Sequence, residues 1–399
     1  MQVDNPVLFV EINLLNYIFV TGTFDEKKKF RIINKIVVDN KDMKKNKFIN
    51  LLQAQEVIKN KIEIIEQNLN YVFKEVIVIL DDFDFLCLNI SGYKKLNGSQ
   101  VLKENIFYIL NSLKSAVSDC EQEKTILHIF NSKSSLDDVC TDDLPIGLFG
   151  NFYYHELSFL LINNNDLKNI NQIFNKNNLK IKKILLKKFV EGALLINKNK
   201  NNDSFINIKI GKDYSNIYFF EKSSFKYLEN FSFGTNIIFK DIMKICSINY
   251  ETVQNFFSET FNNQINFAND EFLEEKYFTN ENFRKIRKKL IIEIANARID
   301  EIINIILSKN INLKSFRKTY TNVYLNIEDK IAFNNFEKMF KSCFSHNYIC
   351  KIDLVDNTQE ELLAANAAKL STQGWSKEAV PVVQTKNSLI TRIFKSLFG

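Results

Sequence analysis

The chain contains no Cys-x-x-Cys pair. Its six cysteines, Cys87, Cys120, Cys140, Cys246, Cys343 and Cys350, read as reduced, buried thiols of a cytosolic protein rather than a disulfide or thiolate-metal framework. The three histidines, His128, His155 and His346, lack metal-ligand spacing, so no metal site is expected. The N-terminus carries Asp4 and Glu11 and has no basic segment leading into a long apolar run, which excludes a signal peptide. No stretch approaches the ~20 apolar residues that a membrane-spanning helix needs. Glycine (10) and proline (3) are scarce, while lysine, asparagine, isoleucine and phenylalanine abound. That bias is the one AT-rich codons produce, so lysine richness alone is no binding signal. The net charge of +6 is spread along the chain, and Lys27–Lys29 and Lys187–Lys188 read as solvated faces. No nucleic-acid-binding motif accompanies them, and no nucleic-acid partner is expected.

What is present is an ordinary globular composition, 45% hydrophobic and 25% charged, in a chain of 399 residues, enough for two or more domains. Apolar runs predict strands at Val7–Val10, Tyr17–Val20 and Phe30–Val38. Leu51, Val57, Ile58, Ile62, Ile65 and Leu69 have helical spacing, and Val76–Leu80 reads as a buried strand. From about Asp82 the pattern changes: strand Phe85–Ile90, helix Asn105–Val117, strands Thr125–Phe130 and Phe152–Ile162. These form a small α/β unit inserted into the first lobe. Helix Asp166–Asn175, strand Ile181–Leu186 and helix Val190–Ile196 lead to the polar run Asn197–Asp203, an interlobe link. The opening pattern then recurs, with strands Phe205–Ile210, Asn216–Phe220 and Phe225–Phe231 and a helix from Asp241. A strand–turn–strand–strand opening met twice predicts a duplicated two-lobed fold whose two turns hold phosphates through backbone N–H groups, where glycine is wanted.

Through Val10-Glu11-Ile12-Asn13, Ile126–Ile129 with Pro145–Gly150, Lys209-Ile210-Gly211, Phe233–Asn236 with Asp241-Ile242, and Ala297-Arg298 with Glu301, taken in that order, the chain resembles FtsA, the actin-like bacterial cell-division family. Val10-Glu11-Ile12-Asn13 is similar to the family's first phosphate loop. Ile126–Ile129 followed by Pro145-Ile146-Gly147-Leu148-Phe149-Gly150 resembles its inserted subdomain. Lys209-Ile210-Gly211 stands where the second phosphate loop has Asp-Ile-Gly. Phe233-Gly234-Thr235-Asn236 with Asp241-Ile242 resembles the later Gly-rich turn, and Ala297-Arg298 with Glu301 a Pro-Arg-x-x-Glu helix. The resemblance implies an actin-like (ASKHA) α/β fold of two lobes with a small inserted α/β subdomain. It also implies a nucleotide pocket drawing on Glu11, Asn13, Gly211, Lys212, Gly234, Arg298 and Glu301, with ATP as ligand and magnesium only where ATP binds. Departures count against that pocket. Asn13 replaces a glycine, Lys209 an acidic residue, Lys212-Asp213-Tyr214 the Gly-Gly-Thr, and Leu325-Asn326-Ile327 the Thr-Gly-Gly of a nucleoside-contacting turn. Side chains there obstruct phosphate, and a lysine removes a hard oxygen ligand. Weak or absent ATP hydrolysis and no catalytic residue are therefore expected. The plain reading of Arg298 and Glu301 is an i,i+3 ion pair.

At the C-terminus, Leu389, Ile390, Ile393, Phe394, Leu397 and Phe398 fill one half of a helical wheel, and Thr391, Arg392, Lys395 and Ser396 the other. No acidic residue follows Glu378, which suits a helix lying in an anionic lipid interface, with Arg392 and Lys395 at the headgroups. The expected layout is first lobe 1–81 and 163–196, insert 82–162, second lobe 197–370, linker 371–388 and amphipathic helix 389–399. With the resemblance, this implies a peripheral protein on the cytoplasmic side of the inner membrane at the division site. It would tether the tubulin-like FtsZ, self-associate into actin-like filaments and recruit downstream division proteins. The rival readings are an actin-like ATPase or kinase, and an actin-like platform of a pilus or secretion assembly.

Overall fold

The computed structural model describes residues 5–26, 29–44, 46–141, 143–198, 202–259, 267–311, 313, 322–328, 351–355 and 359–381. The chain divides into two units: Met1–Asn201 with Lys222–Tyr227 and Thr358–Gly399, and Asn202–Glu221 with Leu228–Asn357.

The first unit opens with β1 (Val7–Ile12) and β2 (Asn16–Phe24), an antiparallel hairpin extended by β3 (Phe30–Asp39). A two-residue ladder, β4 (Met43–Lys44) with β5 (Lys47–Phe48), precedes α1 (Leu51–Leu69). Asn50 caps α1 by accepting from the Gln53 amide, and Ala54, Ile58, Ile62 and Ile65 form its buried stripe. β6 (Glu75–Leu80) runs parallel to β1, and β11 (Lys180–Leu186) parallel to β6, giving the order β11-β6-β1-β2-β3. β1 and β6 are buried along almost their whole length, which is why they read as unbroken apolar runs rather than alternating ones. One core unites this sheet with α1 and α3 (Asn164–Lys176), through Ile58, Ile62, Ile170 and Phe174 among others.

Between β6 and α3 lies the insert: β7 (Phe85–Lys95), α2 (Lys103–Cys120), β8 (Lys124–Leu136), β9 (Val139–Thr141) and β10 (Phe152–Asn163). One face of its antiparallel sheet packs Tyr153, Leu157, Phe159 and Leu161 against Ile106, Ile109 and Leu113 of α2. On β7, β8 and β10, Asn89, Ser132, Glu156 and Ser158 are linked by hydrogen bonds from Ser158 Oγ to Asn89 Oδ1 (2.6 Å) and Ser132 Oγ (3.2 Å) and from Ser132 Oγ to Glu156 Oε1 (3.3 Å). After β11 comes α4 (Lys187–Lys198).

The second unit repeats the first sheet. β12 (Phe205–Ile210) pairs antiparallel with β13 (Ser215–Glu221), β15 (Asn322–Ile327) is parallel to β12, and β16 (Lys351–Leu354) parallel to β15. With β14 (Ser224–Phe231) the order is β14-β13-β12-β15-β16. Strand for strand this matches β3-β2-β1-β6-β11, the duplication expected from the recurring sequence pattern. Helices α5 (Asn236–Cys246), α6 (Tyr250–Glu259) and α7 (Lys288–Ile303) complete the unit.

Several expectations are corrected. The second lobe does not extend to residue 370, and 371–388 is not simply a linker. α8 (Glu360–Gln373) packs on α4 and β3 of the first unit, where Lys35 pairs with both Glu360 and Glu361. Residues Glu378–Pro381 form β17, the outer strand of the insert's sheet. Leu325-Asn326-Ile327 is no turn but the end of β15, because it completes the ladder on β12. α5 starts at Asn236, five residues before the expected Asp241, immediately after the Gly234 turn. Cys120 and Cys140 are exposed, whereas Cys343 and Cys350 lie outside the described residues, as does the amphipathic segment 389–399. Among the described residues no helix is long and apolar enough to cross a membrane.

The insert's core holds one polar anomaly. His155 is 1% exposed, neither ring nitrogen has a hydrogen-bond partner, and the nearby Tyr153 hydroxyl has none either. Burial pushes the imidazole down to about 4 against the opposing charge of Glu156. The neutral ring is native, so its stability contribution is full above the ordinary value of 6.5 and is lost as pH falls toward 4. At pH 5 this amounts to about 2 kcal/mol. His155→Phe should therefore flatten the acid side of the melting-temperature profile between pH 6.5 and 4. An unchanged profile in calorimetry would show that the imidazole does not set acid stability.

Candidate functional site

Three parallel strands of the first unit end at the same edge, and their carboxyl ends deliver charge to one place. This is where ligands bind in open α/β sheets. β1 brings Glu11, β6 is followed by Asp81, and β11 runs directly into Lys187 and Lys188 of α4. Lys187 Nζ lies 2.7 Å from Glu11 Oε1 and 3.5 Å from Asp81 Oδ2. Lys188 Nζ lies 2.6 Å from Asp81 Oδ1. Side-chain exposures of 4%, 5%, 15% and 4% for Glu11, Asp81, Lys187 and Lys188 make this a buried cluster with its charges balanced. The doublet read as a solvated face is thus the most enclosed pair of cations in the unit's strand-end edge. Burial alone would lower the Lys187 pKa, but Glu11, Asp81 and Glu191 outweigh it and hold the ammonium well above its ordinary range. Both lysines occupy the first turn of α4, where the helix dipole disfavours cations; the two carboxylates offset that cost.

The hairpin turn beside this cluster is also internally satisfied. The Asn13 amide donates to the Asn16 carbonyl (3.1 Å) and the Leu14 amide to Asp82 Oδ2 (3.1 Å). The Leu15 and Asn16 amides donate to Asn13 Oδ1 at 3.0 and 2.7 Å. Asn13 Nδ2 donates to Glu11 Oε1 (2.9 Å), and Asn40 Nδ2 to the Asn13 carbonyl (2.6 Å). Asn13 therefore does more than obstruct: its amide oxygen takes N–H groups that a phosphate would otherwise use. These residues do not fit a magnesium-bound triphosphate, because the turn amides and both carboxylates are already engaged. Among the described residues no three His, Cys, Asp or Glu side chains gather as a metal site.

In the second unit, Gly211, Lys212 and Gly234 come together. The Thr235 and Asn236 amides donate to the Gly211 and Lys212 carbonyls, each at 2.9 Å. A Cβ on Gly234 would stand 2.2 Å from the Gly211 carbonyl oxygen, so only glycine permits this contact. Lys209 Nζ reaches Glu328 Oε1, 2.7 Å away just beyond β15. Lys209, where the resemblance led to the expectation of an acid, is thus paired with an acid from the end of the neighbouring strand. Arg298 on α7 pairs with Asp241 on α5 and, at 2.7 Å, with Glu301, so the expected i,i+3 pair exists as part of a triad. Sequence reading missed Asp81, Asp82, Lys187, Lys188 and Glu328. Their common signal is position immediately after an apolar parallel strand.

Removing one member of a buried ion pair typically costs about 3–5 kcal/mol, because its partner is left charged and unpaired. Lys188→Met should therefore lower stability to urea by that order, and adding Asp81→Leu should recover more than half of the loss. A single variant within about 1 kcal/mol of the parent would mean that the cluster carries no such constraint.

No family model matches the sequence. It is 21% identical over 304 residues to the cell division protein FtsA of Buchnera aphidicola subsp. Schizaphis graminum (strain Sg), covering 75% of this chain and 72% of that protein. Among solved structures it is similar to one described as the PilM-PilN type IV pilus biogenesis complex, with a TM-score of 0.53 and 8% identity over 92% of this chain and 98% of that one. MreB5 of Spiroplasma citri bound to ADP is more distant, with a TM-score of 0.44 and 10% identity over 92% of this chain and 96% of that one. The repeated five-strand order, the insert after β6 and the collinear likeness across three quarters of the sequence agree: the chain is a divergent FtsA-like protein with the actin-like fold.

Proposed function

We propose that this protein is an actin-like cell-division scaffold that links the tubulin-like FtsZ to the inner face of the cytoplasmic membrane. The observation that carries the reading is the FtsA likeness, which spans 75% of this chain and 72% of the relative. The second unit offers the FtsZ contact, and the apolar and basic residues of 389–398 offer the membrane contact. Self-association into filaments multiplies a weak single anchor through effective concentration, and downstream division proteins join the assembled array. The protein acts as a scaffold rather than an ATPase, a role supported by the ion-paired Glu11 and Asp81 and by the occupied turn amides. No steady ATP turnover above background is expected with magnesium present. A clear rate abolished by Glu11→Ala would reverse that part of the reading.

Co-sedimentation with FtsZ polymers and vesicles containing anionic lipid tests the whole proposal. Full burial of one large apolar side chain is worth roughly 1.5–3 kcal/mol, of which an interfacial helix realises a part. Ordering each backbone position costs roughly 1–2 kcal/mol, so a single helix is close to balance. Phe394→Asp with Leu397→Asp should abolish vesicle pelleting and leave FtsZ binding intact. Arg392→Ala with Lys395→Ala should weaken it less, by a margin that shrinks at high salt. A double Asp variant that pellets like the parent would rule out the membrane helix, and no FtsZ binding by the parent would rule out the tether.

A further inference from the structure

The outer strand of the insert's sheet is supplied by the far end of the chain. β17 lies antiparallel on β8, with Glu378 opposite Phe130 and Pro381 opposite His128, and the Asn131 amide donates to the Lys377 carbonyl (2.6 Å). Without it, residues 128–131 of β8 would present a bare edge of unpaired N–H and C=O groups beside the stretch that β9 covers, the kind of edge that accepts added strands. Two side chains key the segment into place. Glu378, 3% exposed, sits between His128 Nδ1 (2.8 Å from Oε1) and Lys183 Nζ (3.2 Å from Oε2). The Leu186 amide donates to His128 Nε2 (3.4 Å), which leaves Nδ1 as the nitrogen that donates to the carboxylate. Three residues earlier, Trp375 donates from Nε1 to the Ser223 carbonyl (2.8 Å) and sets its ring edge-on to Phe189 at 6.2 Å. Phe189 in turn packs on His128 and Phe130, so the indole and carboxylate subsites share one wall.

This arrangement has the parts of a peptide site: backbone pairing along an edge, an aromatic subsite, and a buried cationic subsite three residues on. Its occupant follows α8 directly after Gly374, whose φ of +72° is a conformation that glycine takes without steric cost. We infer that the β8 edge with Lys183 and Phe189 is a receptor for an extended peptide carrying an aromatic residue three positions before a carboxylate, and that the chain's own Trp375–Pro381 is an internal competitor holding it closed. The inference goes beyond the scaffold reading and does not depend on it.

The chain has a single tryptophan, Trp375, which makes the test direct. A full-length Trp375→Ala, Glu378→Lys variant vacates both subsites and contains no tryptophan. A synthetic peptide of residues 372–383 should then bind it saturably with a blue shift of the peptide's indole emission. By anisotropy of a labelled copy, it should bind at least ten-fold tighter to the variant than to the unaltered chain. The same peptide carrying Glu378→Gln should lose at least ten-fold. No saturable binding to a variant with native circular dichroism, or equal binding to the unaltered chain, would overturn the inference. Hydrogen exchange on the unaltered chain decides the matter even if the variant fails to fold. The amides of 375–381 should open locally, faster than those of β10, and Glu378→Gln should speed them at least ten-fold without changing β10. Opening of 375–381 only together with β10 would mean the strand is a fixed part of the sheet.

Discussion

Two ammonium groups and two carboxylates are buried together where β1, β6 and β11 end, and the loss of any one unbalances the other three. Much of the first unit's character follows from that constraint. The strands must end in register for Glu11, Asp81 and Lys187 to meet. α4 must begin at the lysines, against the sense of its own dipole, because the carboxylates lie there. The adjoining hairpin is closed by Asn13 and Asp82, so its amides too face inward partners. The edge at which open α/β sheets commonly receive ligands is tied here by internal bonds.

The second unit reaches a similar end by other residues. The Lys209–Glu328 pair spans the ends of neighbouring strands, and the Gly211–Gly234 contact keeps the close backbone approach for which the turn is shaped. Conserving the strand order in both halves while replacing open turns with side-chain bonds yields an actin-like frame whose two strand-end edges are tied from within each unit.

Most of the frame was legible in sequence because it is written locally. Apolar runs gave the parallel strands, helical spacing gave α1 and α2, and the repeated opening gave the duplication. The site was only half legible. Glu11, Asn13, Gly211 and Gly234 could be found because they sit in turns with a recognisable order. Lys187 and Lys188 could not, because a lysine doublet has the same local pattern on a solvated helix face as in a buried pair, and only the strand register reveals Asp81 opposite. The end of the second unit was misplaced for a related reason. α8 and β17 return to the first unit through contacts with Lys35, Lys183 and His128, which stand roughly 200–330 residues away, and no local signal reports a partner at such separations.

β17 also fixes a mechanical length. It ties residue 381 to the insert's sheet, so the stretch beyond is leashed there. Were the same stretch to leave from Gly374, seven more residues would be free and the leash would lengthen by about 25 Å. The four-residue strand thus shortens the reach of whatever follows it, and with that raises the local concentration at which the following segment meets any surface lying alongside.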